Sequence, residues 1–324
     1  MTEVTMVQAL NQALRLTMQE DDRVLVLGED VGKLGGVFRV TDRLQAEFGE
    51  ERVFDTPLAE SAIAGVSLGL AMAGWHPVAE MQFDAFSYPA LDQVISHIAK
   101  YRFRSMGRVD PSLVIRIPCG GGIGAAEHHS ESPEAYYVHT SGLKVAIPST
   151  PLDAFNLLVR SIRDPDPVIF FEPKSRYWSK ESGDLSPNGL PFGAARTVRE
   201  GSHATLVTWG GMVARCLQAA EAAAEDGVEL EVVDLRTLVP LDLQGLVDAA
   251  RKTGRVVVVH EAPMTAGFGA EVVARIVEEA FEYLEAPVLR VTGYDIPYPP
   301  AKVEEHYLPS VDRILIALDR VLSF

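Results

Sequence analysis

The chain has 324 residues, 47% hydrophobic and 23% charged, the proportions of a soluble globular protein of about two domains with ample length for a core. It carries 29 Lys and Arg against 45 Asp and Glu, a net charge of −16, which argues against nucleic acid or an anionic membrane as partner and either attracts a basic protein or only keeps the chain soluble. Two cysteines, Cys119 and Cys216, without a CxxC pair, exclude a disulfide framework and a cysteine-based zinc site and predict a reducing, cytoplasmic setting.

The N-terminal MTEVTMVQALNQALRL has no charged segment ahead of an apolar core, so no signal peptide is expected. MVQALNQALRLTMQ reads as a helix and VLVLGED as a strand. FDTPLAESAIAGVSLGLAMAG (54–74) follows, the longest nearly apolar stretch, with Asp55 and Glu60 interrupting it too early for a membrane span. It predicts a helix capped by Thr56 with Pro57 at its first position.

Ala59 stands where a capping box needs Glu or Gln, so capping does not explain Glu60. A carboxylate favoured by the helix dipole is one reading of Glu60, and a functional acid is the other. Ser61, Gly65, Gly69 and Ala73 recur every four residues, and two glycines on one helix face predict close approach of another helix or a ligand.

Next come a strand in HPVAEMQF, a helix in PALDQVISHIAKYRFR and a strand in SLVIRIP. The loop CGGGIGAAEHHSESPEA then carries Gly120, Gly121, Gly122 and Gly124. No Gly-Lys-Ser/Thr follows, so it is not a P-loop, and no HExxH supports a zinc site. A glycine-rich loop that delivers His128 and His129, side chains expected to point apart, is a catalytic candidate or else a structural loop with surface histidines. LKVAIP and PVIFFEP are further strands, and SKESGDLSPNGLPFG (179–193) reads as a linker.

The second half alternates ATLVTWG, MVARCLQAAEAAAEDG, LEVVDLRT, DLQGLVDAARKTG, RVVVVHEA, GAEVVARIVEEAFEYL, PVLRVTG and SVDRILIALDRVL as strand and helix. Strands that are nearly all Val and Leu predict a parallel sheet covered on both faces. GFGAE is a weak match to a dinucleotide loop, because Val272 holds the place of the third glycine.

LGEDVGKLGGVF (27–38), DTPLAESAIAG (55–65), AEMQFDAFSYPALDQ (79–93), HHSESPEAYYVHTSGLKV (128–145), FFEPK (170–174), VVDLRTLVPLD (232–242), TGRVVVVHEAP (253–263) and GYDIPYPPAK (293–302) stand in one order along nearly the whole chain. Together they resemble the β subunit of the thiamine-diphosphate-dependent 2-oxoacid dehydrogenases. DIPYPPAKVEEHYLP and HHSESPEAYY are more similar to the branched-chain (2-oxoisovalerate) enzyme than to the pyruvate enzyme. The resemblance implies an α/β chain of two domains with largely parallel sheets. A transketolase-like pyrimidine-binding domain would span 1–185. A transketolase C-terminal-like domain, for assembly and partner binding, would span 186–324.

The resemblance also implies a chemistry. Glu60 would bind the aminopyrimidine ring nitrogen of thiamine diphosphate and drive formation of the ylide that attacks the 2-oxo acid. Glu29, Leu58, Gln82 and Phe86 would complete this half of the pocket, with Phe86 stacked on the pyrimidine. His129 would orient the substrate or the lipoyl group and move a proton there. HSES replaces the family's usual HSQS, placing Glu131 near His129, where it raises the histidine's pKa or faces solvent. QFDAF replaces QFADY, so the aromatic ring lacks a hydroxyl.

The family's magnesium–diphosphate motif is absent from the sequence, so the resemblance implies an α subunit that supplies those ligands, in a heterotetramer of two α and two β chains. Ser161, Asp164 and Asp166 match a segment where some relatives hold a structural potassium ion. The acyltransferase core would be bound through its basic peripheral domain, with the carboxylate of Phe324 as a candidate contact. The competing readings are a pyruvate dehydrogenase β subunit, a non-catalytic scaffold subunit and a self-sufficient transketolase-like synthase.

Overall fold

A computed structural model describes residues 3–324. Met1 and Thr2, which begin the segment read above for a signal peptide, lie outside the described residues. The strands are β1 (Glu3–Thr5), β2 (Val24–Gly28), β3 (Val53–Asp55), β4 (His76–Glu80), β5 (Val114–Cys119), β6 (Lys144–Ala146), β7 (Val168–Pro173), β8 (Lys180–Ser182), β9 (Arg196–Arg199), β10 (Ala204–Thr208), β11 (Leu230–Asp234), β12 (Thr237–Val239), β13 (Val256–Pro263) and β14 (Leu289–Gly293).

Two sheets organise the chain. The first runs in the order β12-β6-β7-β5-β4-β2-β3, parallel except for β12 at its edge. The second runs β14-β13-β10-β11-β9, parallel except for β9. The inner strands β5, β7, β10 and β11 are buried throughout, as their mostly apolar sequences favour, with a few charged residues among them. One apolar cluster holds Ile115, Ile117 and Phe171 of the first sheet together with Val207, Val256 and Val258 of the second, so the two sheets share a core.

The helices follow their capping chemistry. Thr5 and Gln8 form a capping box that starts Met6–Glu20. Asp242 caps Leu243–Thr253, which Gly254 ends at φ +65°. Ser310 caps Val311–Leu322.

Several expectations need correction. LEVVDLRT is two strands rather than one: β11 lies in the second sheet, and the chain turns at Arg236 (φ +59°) to add β12 to the first. The Arg236 guanidinium sits out of water and donates to Asp153 Oδ2 at 2.7 Å and to the carbonyls of Leu190, Pro191 and Ala194, so buried polar contacts hold the crossing. The segment read as a linker begins in order, because β8 pairs with β1. HPVAEMQF leaves the sheet at Glu80. PALDQVISHIAKYRFR is a composite: a 3₁₀ stretch Ala85–Ala90 containing Pro89, then Leu91–Gln93, a π-helical turn Val94–Ile98 and Ala99–Arg104. A helix over Pro151–Ile162, capped by Thr150 Oγ on the Asp153 N–H, was not anticipated, although Thr-Pro-x-Asp signals it.

Candidate active site at the carboxyl ends of the first sheet

In the first sheet the chain passes from β2 outward to β3 and then returns to β4 on the other side of β2. Such a reversal opens a crevice at the carboxyl ends of the two strands, the usual place for a ligand in a parallel sheet. Glu29 follows β2 directly, Glu60 opens the helix after β3, and Gln82 lies just beyond β4. The histidine loop follows β5, and Lys174 follows β7. Gln82 Nε2 donates to Asp30 Oδ2 at 2.9 Å and ties the ends of β2 and β4 together.

Glu60 is the first residue of its helix, Glu60–Met72, which is entered through Ala59 with no side-chain cap. The expected Thr56 cap is not formed: the helix begins four residues later, and the Thr56 hydroxyl is buried without a partner. Glu60 and Glu29 are each only 6% exposed. Both Glu29 oxygens lack a donor. Burial first, and then the adjacent Glu60 carboxylate, push the Glu29 carboxyl up to about 7. A neighbouring carboxylate in a low-dielectric site disfavours the charged form, so Glu29 resists ionisation up to near neutral pH. Leu58 projects at the mouth, 73% exposed.

The small-residue stripe of this helix is divided: Gly65 is half-buried, with Gln93 Oε1 3.5 Å from where its Cβ would stand, and the Ser61 hydroxyl donates to the Pro89 carbonyl, while the stripe's far end faces outward. Ser61, Gly69 and Ala73 are exposed, and a Cβ at Gly69 would meet no atom within 4 Å. Val66 and Met72 are exposed on the same helix.

On the other side of the crevice, His129 ends a short 3₁₀ turn, Glu127–His129. Its ring meets Phe83 edge-on at 3.9 Å and Phe86 at 5.3 Å. The rings of His128 and His129 do not point apart but lie 4.2 Å from each other, because neighbours on a tight helical turn diverge far less than neighbours on a strand. Phe86 stacks on His128, with 6.3 Å between ring centres. His129 Nδ1 is buried without a partner. Burial, followed by the His128 charge, holds the His129 pKa below the ordinary value, so the ring is neutral at pH 7.

Neither expectation for Glu131 is met. Its carboxylate accepts from the Tyr88 hydroxyl, and its backbone N–H donates to Asp84 Oδ2 at 2.6 Å. Hydrogen bonding to Tyr88 holds the carboxylate there, and His129 is lowered rather than raised.

Sequence reasoning missed the ionic floor beneath these residues. Lys174 and Asp84 pair with both side chains wholly buried. Arg116 donates to Glu172 at 2.7 and 2.9 Å and to Glu80 at 2.6 Å, and the Tyr177 hydroxyl donates to Glu172 at 2.7 Å. The signal was available: Glu80, Arg116 and Glu172 are charges inside strands whose neighbours are buried, and such charges require one another.

The side chains of the segment expected to hold potassium are engaged within the chain. Both Asp164 oxygens accept from Lys144 Nζ at 2.7 Å, Asp166 pairs with Arg102 and Lys144, and Ser161 Oγ donates to the Leu157 carbonyl. The chain's own cations pair with both carboxylates, which leaves backbone carbonyls as the ligands such an ion would use. Among the described residues no cluster of three or more His, Cys, Asp or Glu suits a metal ion. Cys119 and Cys216 are both free and buried, and among the described residues no helix is long and apolar enough to cross a membrane.

This crevice and the two sheets define a transketolase-type protein. Residues 2–179 match the profile of the transketolase pyrimidine-binding domain, and residues 193–314 that of the transketolase C-terminal domain. A solved split-gene transketolase, an inactive β4 tetramer, superposes with a TM-score of 0.81 over 99% of this chain and 98% of that one. At 24% identity it shares the fold.

Relatives narrow the class. The pyruvate dehydrogenase E1 component subunit beta of Leifsonia xyli is 55% identical over 98% of this chain and 95% of its own. The 3-methyl-2-oxobutanoate dehydrogenase subunit beta of Mycobacterium tuberculosis is 54% identical over 98% and 92%. The 2-oxoisovalerate dehydrogenase subunit beta of Pseudomonas aeruginosa is 44% identical over 99% and 96%. The chain belongs to the β subunits of the thiamine-diphosphate-dependent 2-oxoacid dehydrogenases.

Proposed function

We propose that this chain is the β subunit of a cytoplasmic branched-chain 2-oxoacid dehydrogenase and contributes the pyrimidine half of its active site. The observation that carries the reading is the buried Glu29–Glu60 pair at the strand-order reversal, whose Glu29 oxygens have no donor. A buried acid held up near neutral pH beside a second carboxyl group suits an aromatic ring nitrogen that both takes and gives a proton. Glu60 would hold the proton at that nitrogen, with Glu29 beside it in the same buried crevice. Leu58, Gln82 and Phe86 would line the ring and exclude water. Bound thiamine diphosphate supplies a carbanion for the 2-oxo carbon and holds the electrons left when carbon dioxide departs. His129, neutral at pH 7, would orient the 2-oxo acid or the lipoyl group and accept or return a proton at its oxygen or sulfur.

Magnesium and the diphosphate are assigned to an α subunit, in a heterotetramer of two α and two β chains. The outward far end of the small-residue stripe on the Glu60 helix supports a subunit contact on that face. The acyltransferase core would receive the acyl group and dock by its basic peripheral domain on the acidic second domain, where Phe324 is 70% exposed. Branched-chain preference is supported by the Mycobacterium and Pseudomonas relatives. The Leifsonia relative supports pyruvate as the second reading.

The test is decarboxylation by the chain assembled with its α partner, thiamine diphosphate and magnesium, with an artificial electron acceptor. Preference for 3-methyl-2-oxobutanoate over pyruvate, lost in Glu60→Gln, is the expected result. Preference for pyruvate keeps the mechanism and overturns the substrate. Inactivity on both substrates in an intact heterotetramer overturns the catalytic reading in favour of a scaffold.

A further inference from the structure

The glycine-rich loop after β5 has the form of an anion cradle. Gly120, Gly122 and Gly124 take φ of +77°, +84° and +68°, and the turns aim successive backbone N–H groups to one side. In many proteins such a nest holds a phosphate. Here carboxylates of the second domain fill it. Gly122 N–H donates to Glu304 Oε1 at 2.8 Å, Gly124 N–H donates to Glu304 Oε2 at 3.1 Å, and Gly121 N–H donates to Glu261. The Tyr298 hydroxyl donates to Glu304 Oε1 at 2.7 Å and orients that carboxylate. The base of the loop closes on itself, with Gly120 N–H donating to the Glu131 carbonyl at 2.8 Å.

The fit is close. A Cβ at Gly121 would fall 1.6 Å from the Tyr298 hydroxyl and 2.9 Å from Glu304 Oε1. Glu304 is buried and Glu261 half-buried where the PYPPAKVEE segment meets the end of β13, and both carboxylates are engaged by loop N–H groups. His129 lies five residues beyond the last anchored N–H, within the loop that Gly120 and Glu131 close.

We propose that Glu304, with Glu261, is a positioning residue: a carboxylate of the second domain that clamps the glycine loop and thereby fixes His129 over the crevice. This rests on the reading of His129 given above. The second domain then does more than assemble and dock, because it holds part of the active site of the first.

The experiment uses the assembled heterotetramer and three variants, Glu304→Gln, His129→Ala and the double variant, with Glu304→Asp as the conservative control. Two readouts are taken: kcat and KM for the 2-oxo acid, and backbone hydrogen exchange over residues 120–131. Glu304→Gln puts an amide N–H against loop N–H groups. The expected result is faster exchange in the loop but not in β10 or β11, and kcat lower by roughly 10- to 100-fold at little-changed KM. Glu304→Asp recovers part of the loss. The double variant is no slower than His129→Ala alone, because Glu304 acts through that ring. Unchanged loop exchange, or losses that multiply in the double variant, overturns the clamp. Full activity in His129→Ala defeats the reading of His129. Loop exchange in Glu304→Gln still reports on the clamp, which is then overturned as a catalytic device if kcat is also unchanged.

Discussion

Lys174 and Asp84 form an ion pair with no water contact at either side chain, directly beneath the aromatic wall that holds His129. Asp84 faces both ways, since its other oxygen accepts the Glu131 N–H at 2.6 Å. The end of β7, the aromatic turn after β4 and the histidine loop therefore meet at one carboxylate. Lys174→Met leaves that charge buried and unpaired, which costs about 3–5 kcal/mol. Urea denaturation of the native chain, Lys174→Met and the double variant with Asp84→Asn checks it. The double variant recovers much of the loss, and equal midpoints for native and Lys174→Met would refute the pairing energy.

Glu29 is held up at about 7 by burial and next by Glu60. Neutralising Glu60 removes the second cause. In Glu60→Gln the Glu29 carboxyl ionises at lower pH, and infrared difference spectra of the carboxylate band over the range around pH 7 follow it. A titration that stays in place would take Glu60 out of the environment of Glu29.

Glu134 is wholly buried, its carboxyl pushed up to about 8 by burial, with Trp209 Nε1 donating to it at 3.4 Å. The folded state binds this proton more tightly than the unfolded chain, where the value is 4.5. Its stabilising contribution is therefore complete below about 4.5 and is lost as pH rises through about 8, at no more than about 1.4 kcal/mol per pH unit. Glu134→Gln flattens that decline. Thermal melts followed by tryptophan fluorescence at several pH values from acid to alkaline decide it, and parallel slopes in the two proteins would count against the assignment.

The outward face of the Glu60–Met72 helix separates folding from assembly. Gly69 has open space where a side chain would go. Gly69→Leu raises helix propensity and stabilises the free chain by up to about 1 kcal/mol. It also blocks close approach of a second helix, so the variant melts no lower yet fails to co-purify with the α partner. A variant that assembles normally would move the subunit contact to another face.

Arg236 is the stitch between the sheets, since its guanidinium is buried with Asp153 and three carbonyls where the chain crosses from β11 to β12. Arg236→Ala strands Asp153 and those carbonyls and costs about 3–5 kcal/mol. Thermal unfolding by calorimetry reads both the loss and any splitting into two transitions. A single transition at the native temperature would contradict it.

Much of this chain was legible in its residues. The alternation of short apolar strands and amphipathic helices marked an α/β protein, because a continuous apolar run and a 3.6-residue period are both read without tertiary knowledge. Glu60 stood out as a charge opening an apolar run, and the structure places it at a strand-order reversal beside Glu29. The ionic floor was half-legible: charges inside buried strands announced that partners exist, but not which partners. The start of the Glu60 helix was misread because Thr-Pro is a good local signal, and the chain instead spends those residues bridging from the strand end to the helix.

The sequence by itself determined the local periods and the family motifs, because each is written in residues a few positions apart. Only the tertiary structure decided which distant groups meet. The split of LEVVDLRT between two sheets, the Lys144 and Arg102 partners of Asp164 and Asp166, and the seating of Glu304 in a glycine loop some 180 residues away all belong to that class. Their reason is shared: a buried charge or N–H must be paired, yet which partner it finds depends on where packing of the whole core brings the chain, and no local pattern records that.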